Sequence, residues 1–157
     1  MNIVKAAPPW VWPLLLLLLY IGWRASRPRE TSLLFFYLMP LLGLISVNTL
    51  VRLPQASVAL PAFAACWAIG AAAGHALQPR WLIAKRDGTV RLAGEWLTMS
   101  AILTIFCANF ANGAVAALAP ELARAPLYLL AFAGLTGLSS GSFLGRAAYV
   151  LRCPSRS

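Results

Sequence analysis

Acidic residues are scarce in this chain of 157 residues, which contains four Asp and Glu residues against 13 Lys and Arg residues and one His. All four acids lie in predicted links or at predicted helix ends, and the middle of every long apolar run carries no charge. Proton relays, ion sites and acid–base catalysis need a buried titratable or charged group. The sequence therefore offers no catalytic residue, and we expect a protein that is not an enzyme.

Sequence signatures of metal, redox and nucleotide chemistry are missing as well. The three cysteines are far apart and none belongs to a Cys-x-x-Cys pair, so we expect neither a disulfide framework nor a metal site. The sequence contains no Gly-x-Ser-x-Gly elbow, no His-Glu-x-x-His run and no phosphate-binding loop. We therefore expect no cofactor.

Apolar residues dominate what is present. They make up 61% of the chain and give it a mean hydropathy of +0.75, which leaves too little polar surface to cover a water-soluble globule. The formal net charge of +9 comes from Lys and Arg in short clusters between apolar runs. That distribution is typical of membrane topology rather than of a nucleic-acid surface. We expect the lipid bilayer as a partner, and no nucleic acid.

Five apolar segments qualify as transmembrane helices, because a span needs about 20 mostly apolar residues. The first is the shortest, and Arg24, Arg27 and Arg29 follow it directly, which is not typical of a cleaved signal peptide. Pro40 predicts a kink in the second. The expected fold class is an all-α integral membrane protein, a single membrane domain with a bundle of about five transmembrane helices over residues 9–23, 33–51, 57–77, 95–118 and 126–150.

The link over about residues 80–93 is long enough to fold on its own. Two short alternating runs, 81–85 and 89–92, flank the dipeptide Asp87-Gly88. Asp-Gly between alternating runs is a strong signal for a tight hairpin turn. We therefore expect a small two-stranded β-hairpin on the cytoplasmic side.

Basic residues alternate between the segments that join these spans. Three lie in the first link, four in the third and three in the C-terminal segment, to which we assign Arg146, whereas the other three segments have one each. Cytoplasmic segments are enriched in Lys and Arg. Five spans with a periplasmic N-terminus and a cytoplasmic C-terminus put the ten basic residues on the cytoplasmic side.

His75, near the end of the third span, and Glu95, at the start of the fourth, are predicted at the same membrane face. As a pair they would titrate near neutral pH and gate a process at that face. The simpler alternative, which we favour, is an interfacial histidine and an acid in a favourable first helical turn.

Asn109 and Asn112 lie three residues apart on the fourth span and so share a face, with Ser100 and Thr104 on a neighbouring stripe. We favour hydrogen bonds across packed helices, which are worth about 0.6 to 2 kcal/mol each. The alternative is a polar path for a solute along this span.

Small residues recur at every fourth position in two spans. Gly70 and Gly74 belong to such a ridge in the third span, and Gly137, Gly141 and Gly145 form another in the fifth. These ridges allow helix backbones to approach closely. We favour contact between the two ridges within one chain, and contact with a second copy in a homo-oligomer is the alternative.

Four local motifs, taken in order, resemble those of a known group. They are Pro8-Pro9-Trp10-Val11-Trp12 before the first apolar run, Arg27-Pro28-Arg29 after it, Gly94-Glu95-Trp96 at the start of the fourth span and Gly145-Arg146 at the end of the fifth. The chain thereby resembles a family of small five-span bacterial inner-membrane proteins classified only as a domain of unknown function. The resemblance implies this architecture and a bacterial inner membrane, and it implies no reaction.

These features together predict a polytopic inner-membrane protein with a non-enzymatic accessory or assembly role. It would act through helix packing, with a second copy or with another membrane protein as its partner. The alternative function is that of a small transporter or channel subunit, with a polar path along the fourth span.

Overall fold

The computed structural model describes residues 9–38, 41–52, 56–86 and 88–154. The predicted kink at Pro40 and the predicted turn residue Asp87 lie outside these residues. The described helices are α1 Val11–Ala25, α2 Leu33–Leu38, α3 Leu42–Val51, α4 Ala56–Leu77, α5 Leu97–Leu118, α6 Pro120–Ala123 and α7 Pro126–Arg152. The strands are β1 Arg29–Ser32, β2 Leu82–Arg86 and β3 Thr89–Leu92, and a 3-10 turn, Gln78–Arg80, follows α4.

Four helical segments of the described chain are long and apolar enough to cross a membrane, and they indicate a multi-pass membrane protein. The expectation of about five spans differs from this number by one helix, α1. This helix is apolar but has 15 residues, which reach about 22 Å, whereas a hydrocarbon core is about 30 Å thick. The four segments are Leu33–Val51, Ala56–Arg80, Leu97–Leu118 and Pro126–Arg152.

The link between α4 and α5 forms β2 and β3, but the sheet has a third strand. Its order is β1-β3-β2 with antiparallel neighbours, and Arg29 of β1 pairs with Leu92 of β3. The predicted pair of strands in this link is confirmed, and β1 adds a third strand that the prediction did not include. A two-stranded ribbon is marginal in isolation, and β1 pairs with the edge of β3 that a ribbon would leave exposed.

One face of this sheet is buried against the last turns of α7. Val90 and Leu92 of β3 form a core cluster with Phe36 of α2 and with Ala147 and Val150 of α7. The two β3 residues point to the same face because side chains alternate along a strand. The sheet is therefore fixed beside the C-terminal end of α7.

Lys85 of β2 holds that end of α7. Its ammonium group donates to the backbone carbonyls of Val150, Leu151 and Cys153 at 2.8, 3.3 and 2.6 Å. The last carbonyls of a helix lack partners within it, and a cation is favourable there. α7 ends at Arg152, beyond the predicted bound at residue 150.

Helices α4 and α7 pack along the small-residue ridges. A Cβ on Gly74 of α4 would collide with the backbone of Ser142, and one on Gly141 of α7 would collide with the backbone of Trp67. The two ridges face each other within one chain, and only glycine permits backbones to lie this close. A Cβ would meet opposing backbone in the same way at Gly70, Gly137 and Gly145.

Candidate functional site

The largest fully buried side chain in the described part of the chain is that of Arg146 on α7, which is 1% exposed. Its guanidinium donates from Nε to Oε1 of Gln78 at 2.7 Å, from Nη1 to Oγ1 of Thr98 at 2.8 Å and from Nη2 to Oε1 of Glu95 at 2.6 Å. We call these four residues the Arg146 cluster. The cluster joins the 3-10 turn that follows α4, the start of α5 and the C-terminal part of α7.

This cluster corrects the expectation of an interior without charge. The assignment of Arg146 to a solvated C-terminal segment is wrong, because α7 continues to Arg152. Glu95 is also buried, at 4% exposure. Buried charges are costly unless they are paired and hydrogen-bonded. Arg146 and Glu95 form such a pair with each other.

A backbone turn before α5 positions Glu95. Gly94 has a φ of +86°, which side-chain-bearing residues rarely adopt, and a Cβ there would lie 2.6 Å from the carbonyl oxygen of Ser26. The backbone N–H of Glu95 donates to the carbonyl of Ala25 at 2.9 Å. Glycine at position 94 therefore allows the start of α5 to lie against the end of α1.

The Glu95 carboxylate also caps α5. Its Oε2 accepts from the backbone N–H of Thr98 at 2.7 Å, and its Oε1 accepts from the Thr98 hydroxyl as well as from Arg146. The N–H groups of a first helical turn lack partners within the helix, and negative charge is favourable there. Both carboxylate oxygens are thus bonded to the protein, which fits a structural tie better than a base that must accept a substrate proton.

Gln78 and Trp81 complete the surroundings of the guanidinium. Gln78 is fully buried, and its Nε2 has no hydrogen-bond partner among the described residues. The ring centroid of Trp81 lies 5.6 Å from Cζ of Arg146, within the range in which an aromatic face stabilises a cation. Arg146 is therefore surrounded by a carboxylate, two neutral acceptors and an aromatic ring.

His75 and Glu95, the residues of the predicted titratable pair, have other partners. Glu95 bonds to Arg146 and Thr98, whereas the ring of His75 packs edge-on against Tyr149 of α7, with ring centroids 5.2 Å apart. A guanidinium is always charged and its fork of donors matches a carboxylate, so it is a stronger partner than an imidazole. Among the described contacts Glu95 is therefore engaged by Arg146 and His75 by Tyr149, and the gate at the His75–Glu95 pair stays a prediction.

Asn109 connects α5 to α3. Its Nδ2 donates to Oγ of Ser46 at 3.3 Å, and its Oδ1 accepts from Oγ1 of Thr49 at 3.1 Å. The same Nδ2 also donates to the carbonyl of Ile105 on its own helix at 2.8 Å. The amide thus bonds to two hydroxyls of a neighbouring helix.

The other three residues of the predicted polar stripe lie elsewhere. Oδ1 of Asn112 accepts from the Tyr128 hydroxyl of α7 at 3.4 Å. Ser100 and Thr104 line a groove of about 240 Å³ that also borders Ser139 of α7. The structure therefore divides the stripe into two amides that bond to neighbouring helices and two hydroxyl residues at a groove.

Sequence reasoning identified Glu95 and Arg146 as members of motifs but missed their pairing. Arg146 directly follows Gly145, the last member of the α7 ridge, so it begins next to the surface that packs on α4. A charged residue on a packed surface of a membrane helix requires a partner. Glu95 is an acid at the start of a span on the same side of the membrane, and it was the sequence signal that could have identified this partner.

Comparison with protein-family models, with curated proteins and with solved structures finds no match to this chain. The geometry of the Arg146 cluster and of the two α5 amides is therefore the basis for inferring a function.

Proposed function

We propose that this chain is a multi-pass protein of a bacterial inner membrane with a non-enzymatic accessory or assembly role, acting through helix packing. In this proposal α1 is a fifth, short span, and the long side chain of Arg24 extends its reach to the interface. The alternation of basic residues supports a cytoplasmic C-terminus and a periplasmic N-terminus. The resemblance to small five-span bacterial proteins supports the same location.

The observation that carries this proposal is the engagement of Arg146 and Glu95 by the protein itself. All three guanidinium nitrogens donate to side chains of other elements, and both carboxylate oxygens accept. Because desolvation offsets much of the attraction in a buried ion pair, we infer that this pair specifies the arrangement of the helices more than it adds net stability. Charged groups used in this way fit a scaffold better than a catalytic or transport site.

The two amides of α5 support the same role. Asn109 bonds to residues of α3 and Asn112 to a residue of α7, and polar side chains commonly join membrane helices in this way. A small transporter or channel subunit is the alternative, and the groove lined by Ser100 and Thr104 is the feature that favours it.

Replacing Asn109 and Asn112 together by leucine separates the two functions. If the amides join helices, the double variant loses about 1 to 3 kcal/mol and its unfolding midpoint in detergent falls. If they line an aqueous path, water already satisfies them, and the midpoint stays unchanged or rises. The matched control replaces Cys107 and Ala111, two exposed residues of α5, by leucine. An equal midpoint in both double variants would contradict the accessory role and favour transport.

A further inference from the structure

A cavity of about 340 Å³ lies between the last turns of α1 and the segment of β1 and α2. It has a cationic part, a hydroxyl-bearing part and an apolar wall, formed by Arg24 and Arg29, by Thr31 and Ser32, and by Ile21 and Phe35. Guanidinium and hydroxyl groups are the usual donors to phosphate oxygens, and an apolar wall suits a hydrocarbon chain. The lining therefore suits a phosphate that is attached to a hydrocarbon.

Arg29, which lines this cavity, has an unsatisfied donor of its own. Its Nε is buried and has no hydrogen-bond partner among the described residues, and its Cζ lies 5.5 Å from the ring centroid of Phe35. A buried donor without an acceptor is costly, and more so when it belongs to a charged group. An anionic oxygen in the cavity would offset the charge of this guanidinium and thereby lower the cost of its burial.

The electrostatic surroundings of Arg29 favour an anion. Burial lowers the pKa of the Arg29 guanidinium, and the positive charges of Arg146 and Arg24 act in the same direction, whereas Glu95 acts against them. Glu95 is already paired with Arg146. A bound anion would therefore interact with two guanidinium groups, those of Arg24 and Arg29, neither of which forms an ion pair with a described carboxylate.

Glu30 also lines the cavity, but it has cationic neighbours in the sheet. It pairs in register with Arg91 across β1 and β3, and residues directly opposite on antiparallel strands have neighbouring side chains. A smaller cavity of about 170 Å³ is bordered by Glu30 together with Arg86 and Arg91. One exposed carboxylate near two arginines of the sheet does not cancel the charge of Arg24 and Arg29.

We propose that this cavity binds the phosphate headgroup of an anionic phospholipid, such as phosphatidylglycerol, with an acyl chain along Ile21 and Phe35. The inference rests on the membrane placement in the proposed function, and it does not depend on the accessory role. Tyr20 and Trp23 of α1 are 56% and 48% exposed, and such aromatic side chains favour the membrane–water interface. A cavity beside them lies at the level of the lipid headgroups, where each phosphate is covalently linked to hydrocarbon chains.

The test uses the full chain purified in a non-ionic detergent. Short-chain phosphatidylglycerol and phosphatidylcholine are titrated separately, and bound lipid is counted by native mass spectrometry. Wild type should bind phosphatidylglycerol about tenfold more tightly than phosphatidylcholine, because both lipids carry the phosphate and only phosphatidylcholine adds a cation that the two arginines repel. Arg24→Gln with Arg29→Gln should abolish this preference. The control, Arg80→Gln with Arg152→Gln, removes the same charge at exposed sites outside the cavity and should keep it.

If the double variant does not fold, Arg24→Gln alone provides the test, because Arg24 is exposed and its replacement should not disturb folding. This variant should lose at least half of the preference for phosphatidylglycerol, measured on a logarithmic scale of affinity. An unchanged preference in the cavity variants, or an equal loss in the control, would overturn the lipid site. Inorganic phosphate that displaces phosphatidylglycerol at equal concentration would identify a free anion and overturn the lipid. Extraction of the wild-type chain from vesicles by alkaline carbonate, measured first, would overturn the membrane placement itself.

Discussion

The Nη2 atom of Arg146 lies 2.6 Å from Oε1 of Glu95, although the two residues are 51 positions apart, and both side chains are 1% exposed. Salt does not screen such a buried pair as it does a pair on the surface. Because Arg146 belongs to α7 and Glu95 precedes α5, the pair links these two helices. Loss of either partner would leave the other charge buried without compensation.

Close packing of α4 on α7 predicts that Gly141 tolerates no large side chain. A Cβ at this position already collides with the backbone of Trp67, so Gly141→Leu should force the helices apart and cost at least about 1 to 3 kcal/mol. Ala131→Leu on the exposed side of α7 should have little effect. Unfolding in detergent measures both, and equal tolerance would show that the ridge does not determine packing.

Comparing two glycines with positive φ distinguishes the cost of backbone strain from the cost of a steric collision. Gly94 has a φ of +86° and the backbone of Ser26 and Arg27 beside it, whereas Gly88 has a φ of +83° and nothing within 4 Å of a built Cβ. Alanine at either position should lower the free energy of unfolding by about 1 to 2 kcal/mol, because its side chain disfavours a positive φ. Gly94→Ala should cost about 1 to 3 kcal/mol more because of the collision. Equal losses of unfolding free energy would mean that α1 and the turn before α5 separate easily.

The ammonium group of Lys85 predicts local stability at the end of α7. Lys85→Met removes its bonds to the carbonyls of Val150, Leu151 and Cys153 and should destabilise the last turn by about 1 to 2 kcal/mol. Hydrogen exchange of the amides in that turn should accelerate, while exchange in α5 stays the same. Arg86→Met, at an exposed position of the same strand, is the control, and faster exchange there as well would assign the effect to loss of charge.

The alternation of basic residues predicts the orientation of the chain. A reporter active only in the periplasm should be silent after Ser157 and active when inserted near Gln55. An epitope placed before Met1 should be accessible from the periplasm if α1 crosses the membrane. A cytoplasmic epitope together with a silent C-terminal reporter would mean four spans, with α1 lying at the surface.

The apolar segments were predictable from sequence because each span repeats one simple signal over about 20 residues. The four candidate spans of the structure match four of the predicted segments in position. The Asp87-Gly88 signal likewise located the two strands around it. Strand β1 carries no such signal, since the residues of Arg29–Ser32 are all polar. They pair with β3 only when the end of α1 lies against the start of α5.

The pairing inside the Arg146 cluster was not predictable for a related reason. Arg146 lies near the end of an apolar run, where an arginine usually extends to the interface, and the sequence does not specify which acid faces it. The contact depends on the packing of α4 on α7 and on the turn at Gly94, both of which are tertiary features. Local patterns therefore revealed the helices, whereas the polar contacts between them required the structure.

A double-mutant cycle on Arg146 and Glu95 tests most directly whether buried polar groups of this chain serve to hold its helices together. Arg146→Met and Glu95→Gln should each reduce the free energy of unfolding in detergent by about 3 to 5 kcal/mol, because each leaves the other charge unpaired. The double variant should lose less than the sum of the two by at least about 1 kcal/mol, since neither charge then remains buried. Losses that add within about 0.5 kcal/mol would contradict the account.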